Sequence, residues 1–145
     1  MMNNENRMMY TQVEKQAIEA VAAVFKDDIA MLHEELGENY IALVWVEAYQ
    51  SYWCLYRTHD DMVEGILVQN AAELVAAYMR ELSARIYFQY EAECDEKGKS
   101  AVLAETYIQM QRAKSDEYIQ KLPQYRDVLE EAHSSAVDMY KKLGF

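Results

Sequence analysis

Residues 40–56, YIALVWVEAYQSYWCLY, hold both tryptophans of the chain, Trp45 and Trp53, with Tyr40, Tyr49, Tyr52 and Tyr56 around them. Glu47 is the only charged residue in the run. Each buried aromatic side chain removes about 150–250 Å² from water, so no other segment has as much surface to bury. Two helical stripes run through it. Ile41, Trp45, Ala48, Tyr52 and Leu55 make one, and Trp45, Tyr49, Trp53 and Tyr56 make a second beside it. A helix carrying both is apolar around much of its circumference, which suits a central position. The competing reading is strand, because residues 40–46 are rich in β-favouring side chains. No glycine, proline or asparagine breaks the run into two strands. The expectation is therefore a helix, with Trp45, Tyr49, Tyr52, Trp53 and Tyr56 as aromatic core or interface.

The rest of the chain points the same way. One proline and four glycines in 145 residues are few for a fold built on tight turns. Thr11-Gln12-Val13-Glu14 is a capping box. Ile18, Ala22, Phe25, Ile29, Leu32 and Leu36 follow at steps of three and four, which predicts a helix over 12–36 with Gly37 as its C-terminal cap. After the polar link 57–61, capped by Thr58 or Asp60, the positions Val63, Leu67, Ala71, Leu74, Tyr78 and Leu82 predict a long third helix over 60–95, or two broken near Ser83. Ser100 caps a fourth helix over 101–122. Pro123 stops it and starts a fifth, whose seam is Tyr125, Leu129, Ala132, Ala136 and Leu143. The expected fold is all-α: an antiparallel bundle of about five helices, one unusually long, spanning 11–145 behind a flexible arm of residues 1–10.

The formal net charge is −11, from 14 basic and 25 acidic residues, and it is uneven. Residues 1–64 hold 12 acids and 4 bases, a net of −8. Direct nucleic-acid binding is disfavoured, because it depends on Lys and Arg neutralising phosphates. Binding to an anionic membrane is disfavoured for the same reason. Cys54 and Cys94 form no CxxC, the opening MMNNENRMMY lacks a secretory apolar core, and the longest apolar run is far short of a membrane span. A cytoplasmic protein with reduced thiols is expected, and Cys54 reads as a small buried apolar residue.

Two constellations carry residue types suited to chemistry. Glu130-Glu131-Ala132-His133 contains one Glu-x-x-His, whereas a carboxylate di-iron bundle needs two plus further glutamates. His33-Glu34-Glu35-Leu36-Gly37-Glu38 carries Glu-Glu-x-Gly-Glu at a helix end. Those five residues resemble the first metal-binding helix of the all-α nucleotide pyrophosphohydrolases of the MazG type. The resemblance implies Mg²⁺ held by carboxylates from two helices and a water directed at a nucleoside triphosphate. The second motif of that family, Glu-x-x-Asp, is replaced by Asp60-Asp61-Met62-Val63-Glu64, with the acids in reverse order. On that alternative, Glu34, Glu35, Glu38, Asp61 and Glu64 are the metal ligands.

The favoured expectation has no catalytic residues and no cofactor. It is a non-enzymatic, acidic helical protein that binds a basic protein partner as inhibitor, immunity or anti-defence factor, or adaptor. Glu34, Glu35, Glu38, Asp60, Asp61 and Glu64 are the candidate contact residues. Twelve tyrosines and nine methionines add to the interface signal, and a homodimer is a further expectation. A small-molecule sensor with an aromatic-lined pocket is a third possibility.

Overall fold

The computed structural model describes residues 10–36, 41–57, 62–96 and 104–142. The chain falls into two compact units, Met1–Leu74 and Val75–Phe145.

In the first unit, helix α1 spans Gln12–Leu36, the span that periodicity predicts. The Glu14 amide donates to Thr11 Oγ1 at 3.1 Å, so the capping threonine acts as the sequence implies. Ile18, Val21, Phe25, Ile29 and Leu32 are buried on one face of α1. The described residues break with the sequence reading at the aromatic run, which is not a helix. Strand β1 (Ile41–Val46) and strand β2 (Ser51–Arg57) form an antiparallel hairpin, and strand β3 (Val63–Leu67) joins the far side of β2. The protein is therefore α+β, and neither the all-α class nor the five-helix bundle holds.

The physical reason lies in residues 47–50. Glu47–Tyr49 make one 3₁₀ turn and Gln50 takes the left-handed conformation, with φ 50° and ψ 47°. A non-glycine residue there costs about 1–2 kcal/mol. Side chains offset the cost. Gln50 Nε2 donates to the Glu47 carbonyl and to Glu47 Oε1, both at 2.9 Å, and the Trp45 indole N–H donates to Glu47 Oε2 at 2.8 Å. These hydrogen bonds hold the Glu47 carboxyl below its ordinary pKa, Trp45 contributing most and Gln50 next. The turn thus comes from a glutamate and a glutamine, which carry no turn signature in sequence.

The same register sorts the aromatics. Ile41 pairs with Tyr56, Leu43 with Cys54 and Trp45 with Tyr52, while Tyr56 pairs with Glu64 and Cys54 with Ile66. Because side chains alternate, these share one sheet face. That face meets α1: Lys15 Nζ sits 4.5 Å from the centre of the Trp45 ring, Tyr52 donates to Glu19 Oε2, and a His33 ring nitrogen bonds the Ile41 carbonyl oxygen. Ala42, Val44, Trp53, Leu55, Gly65 and Leu67 lie on the opposite face.

The predicted helix over 60–95 is also corrected. Its first part is β3, and helix α2 begins only at Ala71, running Ala71–Glu96. Asn70 Oδ1 accepts from the Glu73 amide, and Glu73 Oε1 accepts from the Gln69 amide, both at 2.9 Å. This variant of the capping box, in which Glu73 reaches the residue before the cap, starts the helix after the strand has ended. Val63 and Leu67 fall in step with the helical seam only by coincidence of spacing.

In the second unit, α2 is followed by α3 (Ala104–Lys121), a 3₁₀ turn at Pro123–Tyr125 and α4 (Arg126–Lys142). Ile86 and Tyr107 pack together, with Tyr87, Ile108 and Met110 around them. Beside them Gln111 Nε2 donates to Ser83 Oγ at 2.7 Å, both residues being buried. Arg112 joins α3 to α4 through two hydrogen bonds to the Glu130 carboxylate, at 2.8 and 2.9 Å, and also grips Asp116. That accounts for the Glu130 of the Glu-x-x-His motif as an ionic tie between helices. Arg112 holds the Glu130 carboxyl below its ordinary range.

Burial lowers the His133 pKa from its ordinary 6.5, with Arg112 pushing the same way against Glu130 and Asp116. The unfolded chain therefore takes up this proton first as pH falls. Stability is expected to decline from about pH 6.5 downward until the folded imidazole itself titrates. Thermal melts across that range should show a flatter slope in His133→Gln. An unchanged slope would mean that another group carries the dependence.

Candidate functional site

The exposed edge of the sheet is the surface best suited to recognition among the described residues. The phase of its ladder is set at one end, where the Val68 amide donates to the Tyr52 carbonyl at 2.9 Å. In an antiparallel pair, hydrogen-bonded and non-bonded residue pairs alternate. Ile66 and Glu64 therefore direct their backbone groups at β2, and Val63, Gly65 and Leu67 direct theirs outward. Around this edge the side chains of Met62 (63% exposed), Val63 (57%) and Ile66 (51%) are apolar and open to solvent.

Edge strands are ordinarily guarded by charge, proline, a bulge or short length. β3 is five residues long and carries one charge, Glu64, but no lysine or proline. Gly65 is exposed, and a Cβ there would make ordinary contact with Leu55 Cδ2 at 3.4 Å and Trp53 Cε3 at 3.5 Å. At the opposite edge of the sheet, the same alternation turns Ile41 outward on β1, and its carbonyl is taken by His33. The two edges thus differ: α1 reaches the β1 edge at the Ile41 carbonyl, and among the described residues no strand pairs with the outer side of β3.

The acidic candidates divide between the two edges, His33 placing the last turns of α1 beside β1. Glu64 lies on β3 and is exposed. Glu34 and Glu35 are exposed on the last described turns of α1. Glu38, Asp60 and Asp61, which the sequence singles out with them, lie outside the described residues, as does Gly37. The five carboxylates of the metal reading are thus described only at Glu34, Glu35 and Glu64. Among the described residues no group of three or more His, Cys, Asp or Glu is placed to hold a metal ion.

The aromatic residues are not a shielded hub. Trp45, Tyr52, Trp53 and Tyr56 are half-buried, and Tyr49 is exposed at the hairpin turn. Trp45 meets Tyr52 edge-on at 4.8 Å, and Trp53 lies 6.1 Å from Tyr49 on the other side. Cys54 is buried between them in β2.

Sequence reasoning missed Tyr10. Its hydroxyl donates to the Val68 carbonyl and accepts from the Tyr52 amide at 3.0 Å. The reciprocal bond of the Tyr52–Val68 pair is thereby replaced by a side-chain bridge at the end of the ladder. The ring is 5% exposed and stacks on Tyr52 with centroids 6.4 Å apart. Burial raises the Tyr10 pKa. Burial and the hydrogen bond to Glu19 raise that of Tyr52 to about 12. A signal for Gly65 and Asn70 was present in the sequence: a glycine within a helical pattern, and Asn-x-x-Glu five residues beyond it. Nothing local marked Tyr10.

No described helix is long and apolar enough to cross a membrane. No protein-family model, curated protein or solved structure matches this chain.

Proposed function

We propose that the protein is a non-enzymatic recognition protein, acting as inhibitor or adaptor, that takes an extended segment of a basic partner as a fourth strand along β3. The observation carrying this reading is the open edge itself: outward backbone groups at Val63, Gly65 and Leu67 beside exposed Met62, Val63 and Ile66. Strand addition draws affinity from main-chain hydrogen bonds and specificity from alternate side chains. The occupant is basic because residues 1–64 carry a net charge of −8. Such a field speeds the approach of a positive segment and weakens with salt. The apolar residues flanking the edge call for Val or Ile alternating with Lys or Arg in that segment.

The test uses peptides alternating Lys or Arg with Val or Ile, titrated against the full chain while amide exchange is followed. Protection at Val63, Gly65 and Leu67, weakening as salt rises, is expected. Gly65→Pro removes one outward N–H and no bond to β2, so it should lower peptide affinity by at least tenfold while the sheet persists. Peptide binding that leaves β3 amides unprotected, or that Gly65→Pro does not weaken, would rule the reading out.

A further inference from the structure

A second site lies within the second unit and is independent of the sheet edge. Ser83 faces Gln111 and Ile86 packs on Tyr107, so α2 and α3 run antiparallel. The short Pro123–Tyr125 turn folds α4 back so that Arg112 grips Glu130, and α3 and α4 run antiparallel as well. Helices α2 and α4 therefore run in the same direction, and between them lies a cleft of about 580 Å³. It is roomy because small residues face it: Ala76, Ser83 and Ala84 from α2, and Ala132, Ser135 and Ala136 from α4. From Ala76 to Tyr87 the α2 wall is about 16 Å long.

Tyr87 and Tyr107 stand edge-to-face at one end, with ring centroids 5.9 Å apart and an interplanar angle of 84°. Met139, 63% exposed, completes that end. A thioether beside aromatic rings accommodates flat ligands of varied outline. The volume lies inside the range of about 300–1,000 Å³ that small-molecule sites occupy.

The charges decide the ligand class. One cation, Arg80, and one anion, Glu131, line the cleft. Arg80 also lies 3.8 Å from Glu81, and the rest of the lining is alanine, serine, valine, tyrosine and methionine, so a charged ligand would give up its water for little in return. The whole chain, at −11, repels anions on approach. We infer that the α2–α4 cleft binds an uncharged, largely apolar small molecule, its ring system against Tyr87 and Tyr107 and its polar group within reach of the Ser83 or Ser135 hydroxyl.

The uncharged dye Nile red is the probe, titrated into the full chain. Saturable fluorescence enhancement is expected, with a shift of the Met139 methyl resonance over the same concentrations. Ala132→Trp and Ala136→Trp fill the cleft from α4, and each should weaken the dye at least tenfold while the helical circular dichroism persists. The methyl shift in the unaltered chain reports the site even where a tryptophan variant fails to fold. Three results would overturn the inference: no saturable enhancement, saturation without a Met139 shift, or tighter binding of an anionic anilinonaphthalene sulfonate at the same methyl.

Discussion

Tyr10→Ala is expected to lower the unfolding free energy by about 3–5 kcal/mol, the range for truncating a buried aromatic. Tyr10→Phe separates the two contributions. Phenylalanine keeps the ring on Tyr52 but removes the hydroxyl that bridges the Tyr52 amide and the Val68 carbonyl. Those groups are then left unpaired where β2 meets the chain beyond β3, at a cost of about 1–3 kcal/mol. Urea unfolding read by tryptophan fluorescence is suited to both variants, since Trp45 packs on Tyr52 and Tyr52 on Tyr10. A Tyr10→Phe midpoint equal to the parent's would show that the bridge contributes nothing. Residues 1–9 lie outside the described residues, and the arm read in the sequence as ending at residue 10 closes on a buried anchor.

Phe25→Ala is expected to cost a similar about 3–5 kcal/mol, by a different route. Phe25 is fully buried at the middle of the α1 seam, two turns from Ile18 and Leu32, which are equally buried. Removing its ring opens a cavity that the neighbouring turns of a regular helix are poorly able to fill. Val13 on the same helix is 76% exposed, so Val13→Ala should stay within about 0.5 kcal/mol of the parent. The contrast between the two is the check. If Phe25→Ala were as mild as Val13→Ala, the buried face of α1 would not be the one that spacing and structure both assign.

These two residues show how far sequence reaches in this protein. Phe25 belongs to a seam of apolar residues separated by charged and polar ones, opened by a threonine cap. Such a pattern fits one period only, so both ends of α1 follow from it. Residues 40–56 have no such contrast. Almost every position is apolar or aromatic, so the run satisfies a helical stripe and a strand alternation at once. Local pattern cannot choose between periods when both faces are apolar. The turn that decides the matter is built from Glu47 and Gln50, whose side chains make the hydrogen bonds that glycine or asparagine would have made unnecessary. The candidate site inherits the same division. That residues near Glu64 are acidic was visible in the chain, and so was the tyrosine surplus. That Val63 and Ile66 flank an open strand edge was not, because edge and centre differ only in which neighbour is present.

The amino-acid order alone was enough for α1, for the Pro123 break, for the negative charge of the first 64 residues and for the burial of Cys54. Folding in three dimensions decided the sheet, the open β3 edge, the α2–α4 cleft and the Tyr10 bridge. The first group rests on interactions within a few residues along the chain, or on simple counts. The second rests on which separate elements come to face one another, and in the Tyr10 bridge the residues that meet are 42 and 58 apart in the chain.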